Sequence, residues 1–97
     1  PTTSPVVAGR RLSTARAVLA TMLLSTGTPM LLGGDELWRT QGGNNNAYCL
    51  DDPTSWVDWT PGPAPASMTA FTARLTAIRR SSPALHRDSF YRDGEIL

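Results

Sequence analysis

Gly27-Thr28-Pro29-Met30-Leu31-Leu32-Gly33-Gly34-Asp35-Glu36 is the stretch on which the fold turns. Its centre, Met30-Leu31-Leu32, is apolar with no polar alternation and lies between Pro29 and two glycines. A short run of that kind suits a strand buried on both faces, as in a parallel sheet. Upstream, Leu12, Ala15, Leu19, Met22 and Leu23 recur at the spacing of one helix face, with the helix formers Ala17 and Ala20 between them. Gly27 is a natural stop for that helix, and Pro29 cannot continue it. Helix, tight turn and buried strand form the αβ half of a repeating βα unit, so the expected class is α/β.

Outward from this core the pattern is less regular. Residues 1–10 hold two prolines and a glycine and read as a loop ahead of a helix that starts at Arg11. Residues 33–66 show no sustained period and are broken by Pro53, Pro61, Pro63 and Pro65. Loops of that length are functional or disordered. The aromatic content here, Trp38, Tyr48, Trp56 and Trp59, argues for a folded, functional loop. One helical turn is expected near Asp52–Val57, with Asp51 or Asp52 as cap. A second helix is predicted over Ser67–Arg80, with Ser67 as N-cap, Met68, Phe71, Leu75 and Ile78 as its apolar face, and Arg79 and Arg80 in the last turn. Ser89-Phe90-Tyr91, an Asp93-Gly94 turn and Glu95-Ile96-Leu97 carry a hairpin signal.

Composition bounds the function classes. Ninety-seven residues make one small domain or part of a larger one, and the start at Pro1 with no leader suggests a piece of something longer. The net charge of +1 gives no electrostatic reason to expect nucleic acid or an anionic membrane as partner. All nine basic residues are Arg, and they are scattered along the chain. The apolar runs fall far short of the roughly 20 residues that a membrane-spanning helix needs. A single cysteine, Cys49, leaves no internal disulfide and fits a reduced, cytoplasmic setting.

Few residues offer chemistry. Asp35-Glu36 follows the apolar run after two glycines, and a site-lining role weighs equally with that of a capped or salt-bridged acidic corner. As neighbours on an extended segment the two point apart, so they do not form a matched acid/base pair. Asn44, Asn45 and Asn46 bring three amides together, a donor and acceptor set suited to vicinal sugar hydroxyls. An Asn/Gly turn whose amides bond their own backbone fits that composition as well. Tyr48 and the tryptophans can stack on the apolar faces of sugar rings, while Trp56 and Trp59 are expected chiefly to pack beneath the loop. Cys49 has no positioned His to activate it, and His86 has no companion ligand, so no metal site is expected. Phosphate loops and nucleophile elbows are absent from the sequence, and no cofactor is expected.

Gly27 to Glu36 resembles the segment around the eighth barrel strand of α-amylase superfamily hydrolases. The string after it is far more restrictive: Arg39-Thr40-Gln41-Gly42-Gly43-Asn44-Asn45-Asn46-Ala47-Tyr48-Cys49, then Asp51-Asp52 and Ser55-Trp56-Val57-Asp58-Trp59. It resembles the isoamylase and glycogen-debranching branch of that superfamily. Leu75, Arg79, Arg80, Pro83, Ala84 and Leu85 are similar to the helix that closes the barrel.

This resemblance implies the C-terminal part of a (β/α)8 barrel (helix 7, strand 8, long loop, helix 8) over residues 1–85, and the start of a C-terminal β-sandwich domain over 86–97. It implies hydrolysis of α-1,6 branch linkages in glycogen or limit dextrin with retention, by two carboxyl groups about 5 Å apart. The three family carboxylates precede Leu12, so no catalytic residue is expected here and the chain alone should be inactive. Asp35, Asn44, Asn45, Asn46 and Tyr48 are the expected substrate contacts. An isoamylase or trehalose-pathway relative, or a non-catalytic glucan-binding segment, are the competing readings.

Overall fold

A computed structural model describes residues 2–60 and 62–95. Two α-helices, α1 (Pro5–Leu24) and α2 (Pro63–Ser81), carry the fold, joined by a long loop with a 3-10 turn at Asp35–Leu37; a second 3-10 turn, Pro83–Leu85, follows α2. Among the described residues there is no strand. The α/β class, the barrel segment and its β-sandwich continuation are therefore corrected to a two-helix arrangement. The physical reason is pairing: an extended run becomes a strand only with a neighbour to accept its ladder hydrogen bonds. Met30-Leu31-Leu32 has no such neighbour, and Met30 is 87% exposed rather than buried. Ser89-Phe90-Tyr91 is likewise irregular, with Phe90 96% exposed. Asp93-Gly94 does form a turn, in which Glu95 N–H donates to Arg92 O at 3.1 Å. The second arm of the expected hairpin, Ile96 and Leu97, lies outside the described residues.

Both helices begin earlier than their apolar periodicity. Each opens on proline, Pro5 after Ser4 and Pro63 after Gly62. Proline lacks an N–H that the first turn would leave unpaired, and its fixed φ suits the helix. These prolines thus start helices instead of marking loop. The first intrahelical bonds are Ala8 N–H to Ser4 O and Ala66 N–H to Gly62 O, both 3.0 Å.

The helices meet along Leu19, Leu23, Met68 and Leu75, with Leu12, Ala15, Met22, Trp38 and Phe71 packed around them. Met68, at 2% exposure, is the centre of this small core. Arg16 ties the helices a second time: it donates to Ser67 Oγ at 2.5 Å and lies over the Phe71 ring at 5.3 Å. Ile78, expected on the apolar face, is exposed, and its neighbour Arg79 is buried in its stead. The Arg79 guanidinium donates to Leu23 O at 2.9 Å, to Ser25 O at 2.6 Å and to Gly27 O. A helix leaves its last carbonyls without intrahelical donors. Here Ser25 Oγ serves Thr21 O at 2.5 Å, and α2 supplies the arginine that serves the carbonyls beyond it.

The accessible surface is 7731 Å² for 10.4 kDa. A compact monomer of that mass exposes roughly 5,400 Å². The radius of gyration, 16.4 Å, likewise exceeds the roughly 12.5 Å expected for this length. One core of four buried apolar side chains leaves most of the loop's apolar residues at the surface.

Candidate functional site

The loop between the helices owes its shape to Gly34 and Arg39. Gly34 is buried at φ +98°, a left-handed conformation that L side chains rarely adopt. A Cβ there would stand 2.8 Å from Arg39 Cδ and 3.3 Å from Val57 Cγ2. The missing side chain lets Arg39 lie against the turn, with its N–H donating to Gly34 O at 3.0 Å. Its guanidinium then reaches across the loop to Ser55 O at 2.7 Å and Thr54 O at 3.4 Å. Arg39 thereby closes the intervening loop into a ring. Thr69 Oγ1 anchors the 3-10 turn to α2 by donating to Glu36 O at 3.0 Å.

Within that ring, Gly42 and Gly43 take φ of +64° and +94° and reverse the chain. Asn44 N–H donates to Gln41 O at 3.0 Å, and Gln41 Nε2 returns a bond to Asn44 O at 2.9 Å. Two of the three amides then cap their own backbone: Asn44 Oδ1 accepts from Asn46 N–H at 2.8 Å, and Asn46 Oδ1 accepts from Tyr48 N–H at 3.0 Å. The turn reading of this cluster therefore holds for Asn44 and Asn46. Asn45 makes no hydrogen bond among the described residues.

Asp35, Asn44 and Asn45 come together on one open concavity of about 420 Å³, whose wall also includes Arg39, Thr40 and Gln41. Asn46 and Tyr48 fall outside its lining, and Tyr48 is 83% exposed. The concavity presents a carboxylate acceptor from Asp35, a complete amide from Asn45 and the NH2 group of Asn44, a set able to hold adjacent hydroxyls. Glu36 is turned away, its Oε2 accepting from Gly34 N–H at 3.0 Å, so the two adjacent acids do not act as a pair.

A second concavity of about 530 Å³ shares the Arg39–Thr40 wall and is lined by Trp38, Trp56 and Trp59. Both Trp56 and Trp59 are exposed, Trp59 at 77%, which corrects the expectation that they pack beneath the loop. Trp56 Nε1 donates to Asp51 Oδ1 at 2.9 Å, fixing the plane of that indole. The expected turn after Asp51 is present: Asp52 Oδ1 accepts from Thr54 N–H at 2.7 Å, and Asp52 O accepts from Ser55 and Trp56. Asp58 is held below the usual carboxylate range by hydrogen bonds from the Thr60 side chain and from its N–H, the latter at 2.8 Å. Arg39 and Thr40, which join the two concavities, had no local signal in the sequence, because the carbonyls that Arg39 holds lie 15 and 16 residues away.

No family model matches the chain. The chain is 52% identical over 86 residues to the glycogen debranching enzyme of Yersinia enterocolitica, covering 89% of this chain and 13% of that protein. It is 46% identical over 95 residues to that of Serratia proteamaculans, covering 98% of this chain and 14% of the relative. The Klebsiella pneumoniae enzyme of the same name is 50% identical over 86 residues, 89% of this chain and 13% of its own length. Over nearly its whole length the chain is similar to proteins named glycogen debranching enzyme, and it spans 13–14% of the length of the relatives it matches. Among the described residues, no helix is long and apolar enough to cross a membrane.

Proposed function

We propose that this chain is one wall of the substrate cleft of a glycogen-debranching glycoside hydrolase that cuts α-1,6 branch linkages in glycogen or limit dextrin. The observation that carries this reading is the 52% identity to an enzyme so named, over a stretch that contains the whole amide-rich loop. The chemistry is that of a retaining glycosidase, with a nucleophile and an acid/base about 5 Å apart. Asp35 and Glu36 do not meet that requirement, since Glu36 is committed to Gly34 N–H. The catalytic carboxylates belong to other parts of the enzyme, which works in the cytoplasm on branched α-glucan without a cofactor.

In this reading Asp35 and Asn45 accept and donate hydrogen bonds to neighbouring hydroxyls of a glucose unit, and Asn44 adds its NH2 group. Asn46 and Tyr48 contribute from the rim, Asn46 by holding the turn. The polypeptide divides after Leu85: the residues up to it belong to the catalytic unit and those from His86 begin the next one. Arg87 supports that division, pairing with Glu95 at 2.9 Å and stacking over Tyr91 at 4.4 Å within the tail itself.

The test is substitution in the whole enzyme that contains this segment. Asn45→Ala should raise KM for a branched dextrin roughly tenfold, the scale of one or two lost hydrogen bonds, with a smaller change in kcat. An unchanged KM for both Asn45→Ala and Asp35→Asn would reject the assignment. The 97-residue chain alone should release no linear oligosaccharide from the same dextrin.

A further inference from the structure

We infer that the concavity formed by Trp38, Trp56 and Trp59 is a second contact for an α-glucan chain, continuous with the amide-rich one across the Arg39–Thr40 wall. The inference rests on the glucan reading above and extends it to a site with different chemistry.

Three indoles converge on one concavity whose rim also carries Asp58, Thr60 and Thr40. A pyranose ring has an apolar C–H face and an equator of hydroxyls, and it needs both kinds of surface at once. The indole faces supply the first, and the Asp58 carboxylate and threonine hydroxyls supply the second. Pre-organisation favours binding here: Asp51 fixes the Trp56 indole, and Thr60 N–H fixes the Asp58 carboxylate. Because Arg39 and Thr40 line both concavities, a chain of several glucose units can cross from the aromatic surface to the amides without leaving the protein.

The experiment is a titration, with maltohexaose, of the whole enzyme that contains this segment, selectively labelled at tryptophan indoles and asparagine amides, following those NMR signals while circular dichroism reports the helices. The Trp56 and Trp59 indole N–H signals should shift saturably, and Trp59→Ala should weaken the fitted affinity roughly fivefold. Trp59 is largely exposed, so this substitution leaves the core untouched. Should the Asn44 and Asn45 amide signals move while the indoles stay still, this inference is overturned and the glucan reading above survives. Movement of the indoles alone supports this inference and removes the amides from the contact. If no signal moves while helicity is intact, both fall. An affinity unchanged by Trp59→Ala also overturns the aromatic contact.

Discussion

The guanidinium of Arg79, on α2, donates a 2.9 Å hydrogen bond to the carbonyl of Leu23 in the last turn of α1, and it extends the same fork to Ser25 and Gly27. Arg79 is only 8% exposed, and among the described residues no acidic partner accompanies it; backbone carbonyls carry its hydrogen bonds. One side chain thus both ends a helix and joins two helices.

Arg79→Ala should therefore destabilise the chain by about 3 kcal/mol, the scale for breaking charge-assisted bonds to buried carbonyls. Arg79→Lys should recover only part, because an ammonium lacks the planar fork that spans three acceptors. Urea unfolding followed by circular dichroism measures both. Equal stability of Arg79→Ala and the parent chain would contradict the clamp.

Gly34 and Gly27 share a φ of +98° but differ in surroundings. Gly27→Ala meets nothing within 4 Å and should cost only the backbone strain, about 1 kcal/mol. Gly34→Ala adds a collision with Arg39 and should cost about 2–3 kcal/mol. It should also free the Arg39 guanidinium from Ser55, which faster proteolysis between Thr40 and Pro53 would reveal. If the two variants unfold alike, the packing of Arg39 on Gly34 is not what shapes the loop.

Glu95 is held below the usual glutamate range by the Arg92 N–H, which donates at 2.8 Å, and further by Arg87. A carboxyl whose folded pKa lies below its unfolded value favours the ordered tail above the unfolded value. That contribution fades as pH falls through the lowered folded value. The Arg87–Glu95 contact should accordingly persist at neutral pH and open only in acid. An NMR titration of the Glu95 carboxyl checks this, and Arg87→Ala should raise its midpoint only in part, since the backbone N–H has the larger effect.

Met30, Trp59 and Phe90 all stand largely in solvent around a core of four buried apolar residues. Exposed apolar surface on this scale drives association. The isolated chain should scatter light increasingly as its concentration rises. A sedimentation profile that stays monomeric across that range would refute this.

Much of the helical skeleton was legible in the residues. The spacing of Leu12, Leu19 and Leu23, and of Met68, Phe71 and Leu75, marks two amphipathic faces, and these are the faces that meet. Their starts were not, because Pro5 and Pro63 read as breaks although the first helical position favours proline. Met30-Leu31-Leu32 has the composition of a buried strand, but composition cannot supply the neighbouring strand that would make it one. Arg79 reads as a cation at a helix end, and its burial depends on carbonyls more than fifty residues away. For the candidate site, the amide cluster is visible as a local string. Its meeting with Asp35 is not, because the Gly34 turn and the Arg39 bridge assemble it across the loop.

The Arg79 clamp also sets an order of events during synthesis. The last turn of α1 gains its carbonyl partners only after Arg79, 56 residues downstream of Leu23, has emerged. At about 5–20 residues per second, that is a delay of roughly 3–11 s. Through that interval the carbonyls at the end of the first helix have only water and the Ser25 hydroxyl to turn to. The two helices therefore mature together, and the second to be made completes the first.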